Sequence, residues 1–239
     1  MMEQGWIPYC GAAPGPAEWL LRWNFDPLLL LVFALIGFAA WRRADIGAPF
    51  WAGFGLLLLL FVSPLCALSS ALFSVRVGHH VLLTALAAPL LLWGMPRFVV
   101  RGPAPMWAAT HILLFWIWHA PVPYAFALSS DLAFWAMQAS LLGSAIAFWG
   151  ALRRCSPATA ILLLLAMMVQ MGLLGALITF AATPLYAPHA VSTLAWGLTP
   201  LEDQQLAGLI MWAPAAAFYL AAAMARGWRL LSPPVAAAR

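Results

Sequence analysis

Apolar residues run along this chain in long blocks, broken only by short clusters of arginine, proline, glycine or acid. An α-helix needs about 20 mainly apolar residues to cross a hydrocarbon core, because it rises only ~1.5 Å per residue. Seven blocks read as such helices: Pro27–Trp41, Pro49–Leu72, Ser74–Trp93, Pro105–Leu128, Leu132–Leu152, Pro157–Ala182 and Asp203–Ala225. The first is short, and the break between the second and third occupies only Ser69–Arg76. The pattern therefore predicts an all-α, polytopic transmembrane helical bundle of about seven spans. It divides into an N-terminal segment (1–26), a membrane domain (27–229) with an outer loop at 183–202, and a tail (230–239). Pro184, Pro188 and Pro200 discourage a continuous helix in that loop, which is expected to fold as a cap with a short helical turn.

Composition agrees with lipid as the solvent. The chain is 65% hydrophobic and 8% charged, against roughly 25% charged in ordinary soluble domains. The formal charge of +4 comes from eleven arginines and no lysine, scattered singly or in pairs. They form no basic stripe, which excludes a nucleic-acid partner. They do carry topology. With the N-terminus outside and the C-terminus in the cytoplasm, Arg42, Arg43, Arg97, Arg101, Arg153, Arg154, Arg226, Arg229 and Arg239 all fall inside, leaving only Arg22 and Arg76 outside. The expected location is a bacterial inner membrane. The first 26 residues lack the basic start and cleavage site of a signal peptide. Three cysteines build no disulfide framework, but Cys10 and Cys66 both fall toward the outer face, where spacing leaves a bridge open.

That orientation gathers the candidate chemistry at one depth. His79 and His80 lie in the first two turns of the third span, and His119 about two turns from the outer end of the fourth. Asp203, Gln204 and Gln205 open the seventh span, with Met211 two turns further in. Asp131, Met137 and Gln138 lie early in the fifth. His and Met suit copper, while Asp and Gln are harder ligands or supporting partners. Neighbours in a helix point roughly 100° apart, so only one of His79 and His80 is expected to face a given pocket. His111 reads as a histidine bonded to a neighbouring helix, and His189 as an unconstrained loop residue. The metal candidates are His80, His119, Asp203, Met211 and His79. Prolines at 89, 121, 123 and 214 free backbone carbonyls inside or at the ends of spans, and Trp118–Tyr124 (WHAPVPY) sets His119 beside such a break. No nucleophilic constellation and no Walker, Rossmann or HExxH motif occurs, so no enzyme activity is expected.

Four segments, Ser74–Pro96, Trp118–Leu128, Gly175–Tyr186 and Asp203–Pro214 (DQQLAGLIMWAP), resemble the seven-span CtaG-type cytochrome c oxidase assembly factors of bacteria. The resemblance runs in order from the third span to the end. It implies a role in maturing haem–copper oxidases at the copper-insertion stage, with oxidase subunits and membrane lipid as partners. The family pattern also implies a histidine four residues before His80 and another early in the fifth span. Here Arg76 stands at the first position, and Trp135, Met137 and Gln138 occupy the second. The rival readings are a permanent accessory subunit of a respiratory complex and a haem-binding or transport protein. Paired histidines on facing spans can ligate haem, whereas transport lacks support from any internal repeat or intramembrane acid.

Overall fold

A computed structural model describes residues 8–231, all of whose regular elements are helical. The α-helices are α1 (Pro27–Trp41), α2 (Ala48–Phe61), α3 (Leu65–Ala71), α4 (Phe73–Trp93), α5 (Ala104–His119), α6 (Pro121–Ala127), α7 (Asp131–Leu152), α8 (Pro157–Thr179) and α9 (Pro200–Leu231). Four of them, α4, α7, α8 and α9, are long and apolar enough to cross a membrane. The α2–α3 pair, bent by 48°, supplies a fifth candidate if taken as one span. Single helices thus account for fewer crossings than the seven the pattern predicts. The reason is local. Pro64 stands at the α2–α3 bend, and Ala120 is extended (ψ 138°) because Pro121 crowds its helical conformation.

Two prolines do not break their helices. Pro89 follows a π-helical stretch, Leu82–Ala87, and Pro214 lies within another, Met211–Ala215. A widened turn relieves the clash between the pyrrolidine ring and the preceding carbonyls. The loosened backbone finds side-chain partners: Thr84 Oγ1 donates to the His80 carbonyl (2.8 Å), and the Trp149 indole donates to the Thr84 carbonyl (3.0 Å).

Helix α4 is central, packing against α2, α3, α7 and α9, and every residue from Phe73 to Ser74 and from Val77 to His80 except Gly78 is buried. Helices α8 and α9 approach through glycine. A Cβ on Gly208 would stand 2.6 Å from the Gly175 carbonyl oxygen and 2.2 Å from Thr179 Oγ1. Small residues permit this contact where no hydrophobic force separates helix from lipid.

Antiparallel succession gives the bundle two chemically distinct ends. At one, Arg153 donates to the Leu92 and Met95 carbonyls and Arg154 to that of Val100, while Asp45 pairs with Arg43 (3.0 Å) and Arg97 (3.8 Å). The other end is capped by the N-terminal segment and the loop after α8. A Cys10–Cys66 disulfide ties that segment to α3. Asn24 N–H donates to the Val62 carbonyl (2.9 Å), and the Trp196 indole to that of Pro14 (3.1 Å). The loop carries two 3-10 turns, Ala187–His189 and Ser192–Trp196.

Candidate functional site

The break after α5 builds the first half of the site. In a continuous helix the His119 carbonyl would accept from residue 123, which is a proline with no N–H. The Tyr186 hydroxyl from the capping loop donates to it instead (2.7 Å). One turn back, the Phe115 carbonyl lies 2.7 Å from His119 Nδ1, and the Phe115 ring stacks on the imidazole at 4.2 Å. Backbone and ring together hold His119 in one orientation. Helix α4 supplies the second half, placing His80 Nδ1 3.3 Å from His119 Nε2 with the rings nearly perpendicular (87°). Gln138 of α7 reaches His80 from the far side, its Nε2 lying 3.3 Å from His80 Nε2. All three side chains are buried.

These contacts fix the protons. A carbonyl can only accept, so His119 carries its proton on Nδ1 and offers a lone pair at Nε2. His80 Nδ1 then donates to His119 Nε2, which leaves His80 Nε2 as an acceptor for the Gln138 amide N–H. The other amide atom, Gln138 Oε1, is buried and has no hydrogen-bond partner. Gln138 also lines a cavity of about 480 Å³ between α1, α2 and α7, walled by Phe33, Phe61 and Trp135 among others.

One turn before His80, on the same helical face, Arg76 is completely buried. Its guanidinium lies over the Phe134 ring at 5.2 Å and interacts with Tyr124, yet no N–H completes a hydrogen bond of standard geometry with a described residue. Arginine stays charged even when buried, so a fixed cation stands beside the histidines. Tyr124 in turn hydrogen-bonds His189 Nε2 (2.7 Å). His189 is therefore neither exposed nor unconstrained as its loop position suggests: it is 2% exposed, because the 3-10 turn folds it inward onto α6. Burial brings its pKa down to about 3, the charge of Arg76 adding to this and the Ala71 backbone opposing it.

The other candidates occupy different places. Asp203, at the start of α9, accepts from Phe73 N–H (2.6 Å), Ser74 N–H (3.2 Å) and the Ser74 hydroxyl (2.5 Å). It is an N-cap for α4 delivered from another helix, a carboxylate where the helix dipole favours one. Gln204 accepts from Leu185 N–H (2.6 Å) and so anchors the capping loop. Met211 is buried at the π-turn of α9. His79 turns away from the pair, edge-on to Phe61 at 5.0 Å, and lines a separate cavity of about 340 Å³. His111 bonds Ser144 across α5 and α7 (2.8 Å), as its position in the pattern suggests. The sequence places His80 and His119 at one depth and Gln138 in the same layer as a harder ligand or supporting partner, but it assigns no role to Tyr124 or Tyr186. A tyrosine in or beside an apolar run gives no signal of its own.

A family model, that of the cytochrome c oxidase caa3 assembly factor (Caa3_CtaG), matches residues 99–232. The chain belongs to this family. The matched region contains His119, Gln138, Asp203 and Met211, while Arg76, His79 and His80 precede it. No curated protein and no solved structure matches the chain. Membership in Caa3_CtaG accounts for an apolar helical protein with no catalytic motif, and it points to oxidase components as the partners.

Proposed function

We propose that the chain assists assembly of a haem–copper cytochrome c oxidase from the periplasmic face of a bacterial inner membrane, handling copper as cargo through His80 and His119. The observation that carries this reading is the His119 imidazole, held at Nδ1 by a backbone carbonyl with Nε2 directed at His80. Metal-bound histidines are oriented this way, the second ring nitrogen donating to a carbonyl or carboxylate. The donor set fits a loosely held ion. The 3.3 Å between the two ring nitrogens is the length of the hydrogen bond that joins them, which places both within reach of one small ion. Imidazole suits copper. Among the described residues no group of three or more His, Cys, Asp or Glu forms a metal-binding cluster, so the reading rests on the two imidazoles alone. Asp203, Met211 and His79 stand outside this donor pair.

The periplasmic assignment draws on two independent features. The disulfide at the capped end requires an oxidising compartment, and the arginine-rich end is the one retained in the cytoplasm. Seven crossings then follow if α1, α2–α3, α4, α5–α6, α7, α8 and α9 each traverse once, which leaves the N-terminus outside. A haem between the two histidines is disfavoured, because rings in contact leave no gap for the macrocycle.

Cu(I) titration of the purified protein and of a His80→Ala/His119→Ala variant tests the cargo role, and oxidase activity in a deletion strain tests the assembly role. Normal oxidase without the gene sinks assembly. Absence of copper binding sinks only the handling.

A further inference from the structure

We infer that Gln138 is a positioning residue for His80, one that exchanges its amide N–H for its amide oxygen when the histidine pair takes up a cation. This rests on the copper reading above. It begins from two facts about one side chain: Gln138 Nε2 meets His80 Nε2 at 3.3 Å, and Gln138 Oε1 is buried without a partner.

In the arrangement seen, His80 carries its proton on Nδ1, and that proton covers the Nε2 lone pair of His119. The pair is closed to an ion. For both facing nitrogens to offer lone pairs, the His80 proton must reside on Nε2. One proton leaves Nδ1 and one arrives at Nε2, so the imidazole stays neutral and no net proton is taken up or released. The new N–H then points at Gln138. An amide N–H there opposes it donor to donor, and a half-turn of the amide replaces that clash with a hydrogen bond to Oε1, the atom now unsatisfied. Glutamine suits both states because it presents a donor and an acceptor from the same place. Glutamate only accepts and leucine does neither.

Each tautomer of His80 finds a partner on the amide, Nε2–H meeting Oε1 and bare Nε2 meeting the amide N–H, while the other amide group is left over in both. Gln138 therefore follows the His80 proton and holds the ring in either form without locking it in one.

The test uses the full chain in detergent with Ag(I), a redox-inert monovalent probe, and Cu(I). Affinities are measured for the unmodified protein, Gln138→Leu, Gln138→Glu and His80→Ala/His119→Ala, and nitrogen-15 NMR of the imidazoles reports which His80 nitrogen holds the proton. Loss of an outer partner of a metal ligand typically costs ~10–100-fold in affinity, so Gln138→Leu is expected to bind that much more weakly. Gln138→Glu should bind at least as tightly as the unmodified chain and carry the Nε2–H tautomer before any ion is added. Ag(I) loading of the unmodified protein should move the His80 proton from Nδ1 to Nε2, a change that a purely structural glutamine would not produce. Unchanged affinity in Gln138→Leu, or a His80 proton that stays on Nδ1 in the loaded protein, overturns the inference while the histidine pair stands. Failure of the unmodified chain to bind either ion overturns the copper reading and this inference together.

Discussion

Replacing Asp203 separates a structural role from a metal-binding one. Its carboxylate accepts three hydrogen bonds at the start of α4, the helix that carries Arg76, His79 and His80. Deleting an N-cap side chain costs ~0.5–2 kcal/mol, and hydrogen bonds to charged groups ~1.5–3 kcal/mol each. These do not add fully, since removal also relieves the desolvation of a buried carboxylate. An overall loss of about 3 kcal/mol is expected for Asp203→Ala, because two buried backbone N–H groups are left without an acceptor. Asp203→Asn keeps one acceptor oxygen and should lose about half as much. Denaturation in mixed micelles measures the loss, and Cu(I) titration of the remaining folded protein measures the site. Copper affinity per folded molecule should be that of the unmodified chain. A variant with full stability but abolished copper binding would refute the capping argument and make Asp203 a ligand.

Three further outcomes follow from packing, charge and covalent structure. Gly208→Leu should push α9 away from α8, since even a Cβ there meets the Gly175 carbonyl at 2.6 Å; overpacking of this kind costs about 1–3 kcal/mol, read as a lower denaturation midpoint. His189, brought down from 6.5 to about 3 by burial, binds its proton more readily once the capping loop opens, so its contribution is complete above pH 6.5 and is lost as pH falls toward 3. At pH 5 the docked loop should be weaker by roughly 2 kcal/mol, visible as faster hydrogen exchange over residues 183–199 and absent in His189→Phe. Cys10→Ser opens a bridge of sequence separation 56, with a chain-entropy cost of at most about 4 kcal/mol. In intact cells a membrane-impermeant maleimide should then label Cys66 once the end is loosened by mild denaturant, and labelling only after lysis would reverse the proposed orientation.

Most of the helical framework was legible because proline and arginine punctuate it. Helices α1, α8 and α9 each begin with proline at N1, and α1, α8 and α9 are capped by Asp26, Ser156 and Thr199 as their sequences suggest. What the pattern missed was how an apolar run ends or continues inside the bundle. Pro64 bends one run and Pro121 divides another, yet Pro89 and Pro214 sit in helices that continue through π-turns. Local sequence separates these cases only in part, since Pro121 is followed by Pro123 whereas Pro64, Pro89 and Pro214 have no second proline two residues on. The difference lies in tertiary partners: Trp149 is available to the Thr84 carbonyl, whereas the freed His119 carbonyl meets a tyrosine from a distant loop.

The site was legible to the same depth. Orientation brought His80 and His119 to a common level, and helical spacing separated His79 from its neighbour, but nothing linear links Gln138 to His80 or Asp203 to Ser74 across 58 and 129 residues. An acid in an apolar protein invites a functional reading, and here three donors from α4 already occupy Asp203. Among the buried polar atoms without hydrogen-bond partners, two groups stand near the histidine pair. Gln138 Oε1 is an unpartnered acceptor on a side chain that touches His80, and the Arg76 guanidinium is a buried cation one turn before His80. On the copper reading proposed above, the pair would offer an ion two neutral nitrogens and no carboxylate once the His80 proton sits on Nε2. Repulsion from the nearby Arg76 charge scales with the charge of the ion, so a monovalent ion should then bind better than a divalent one.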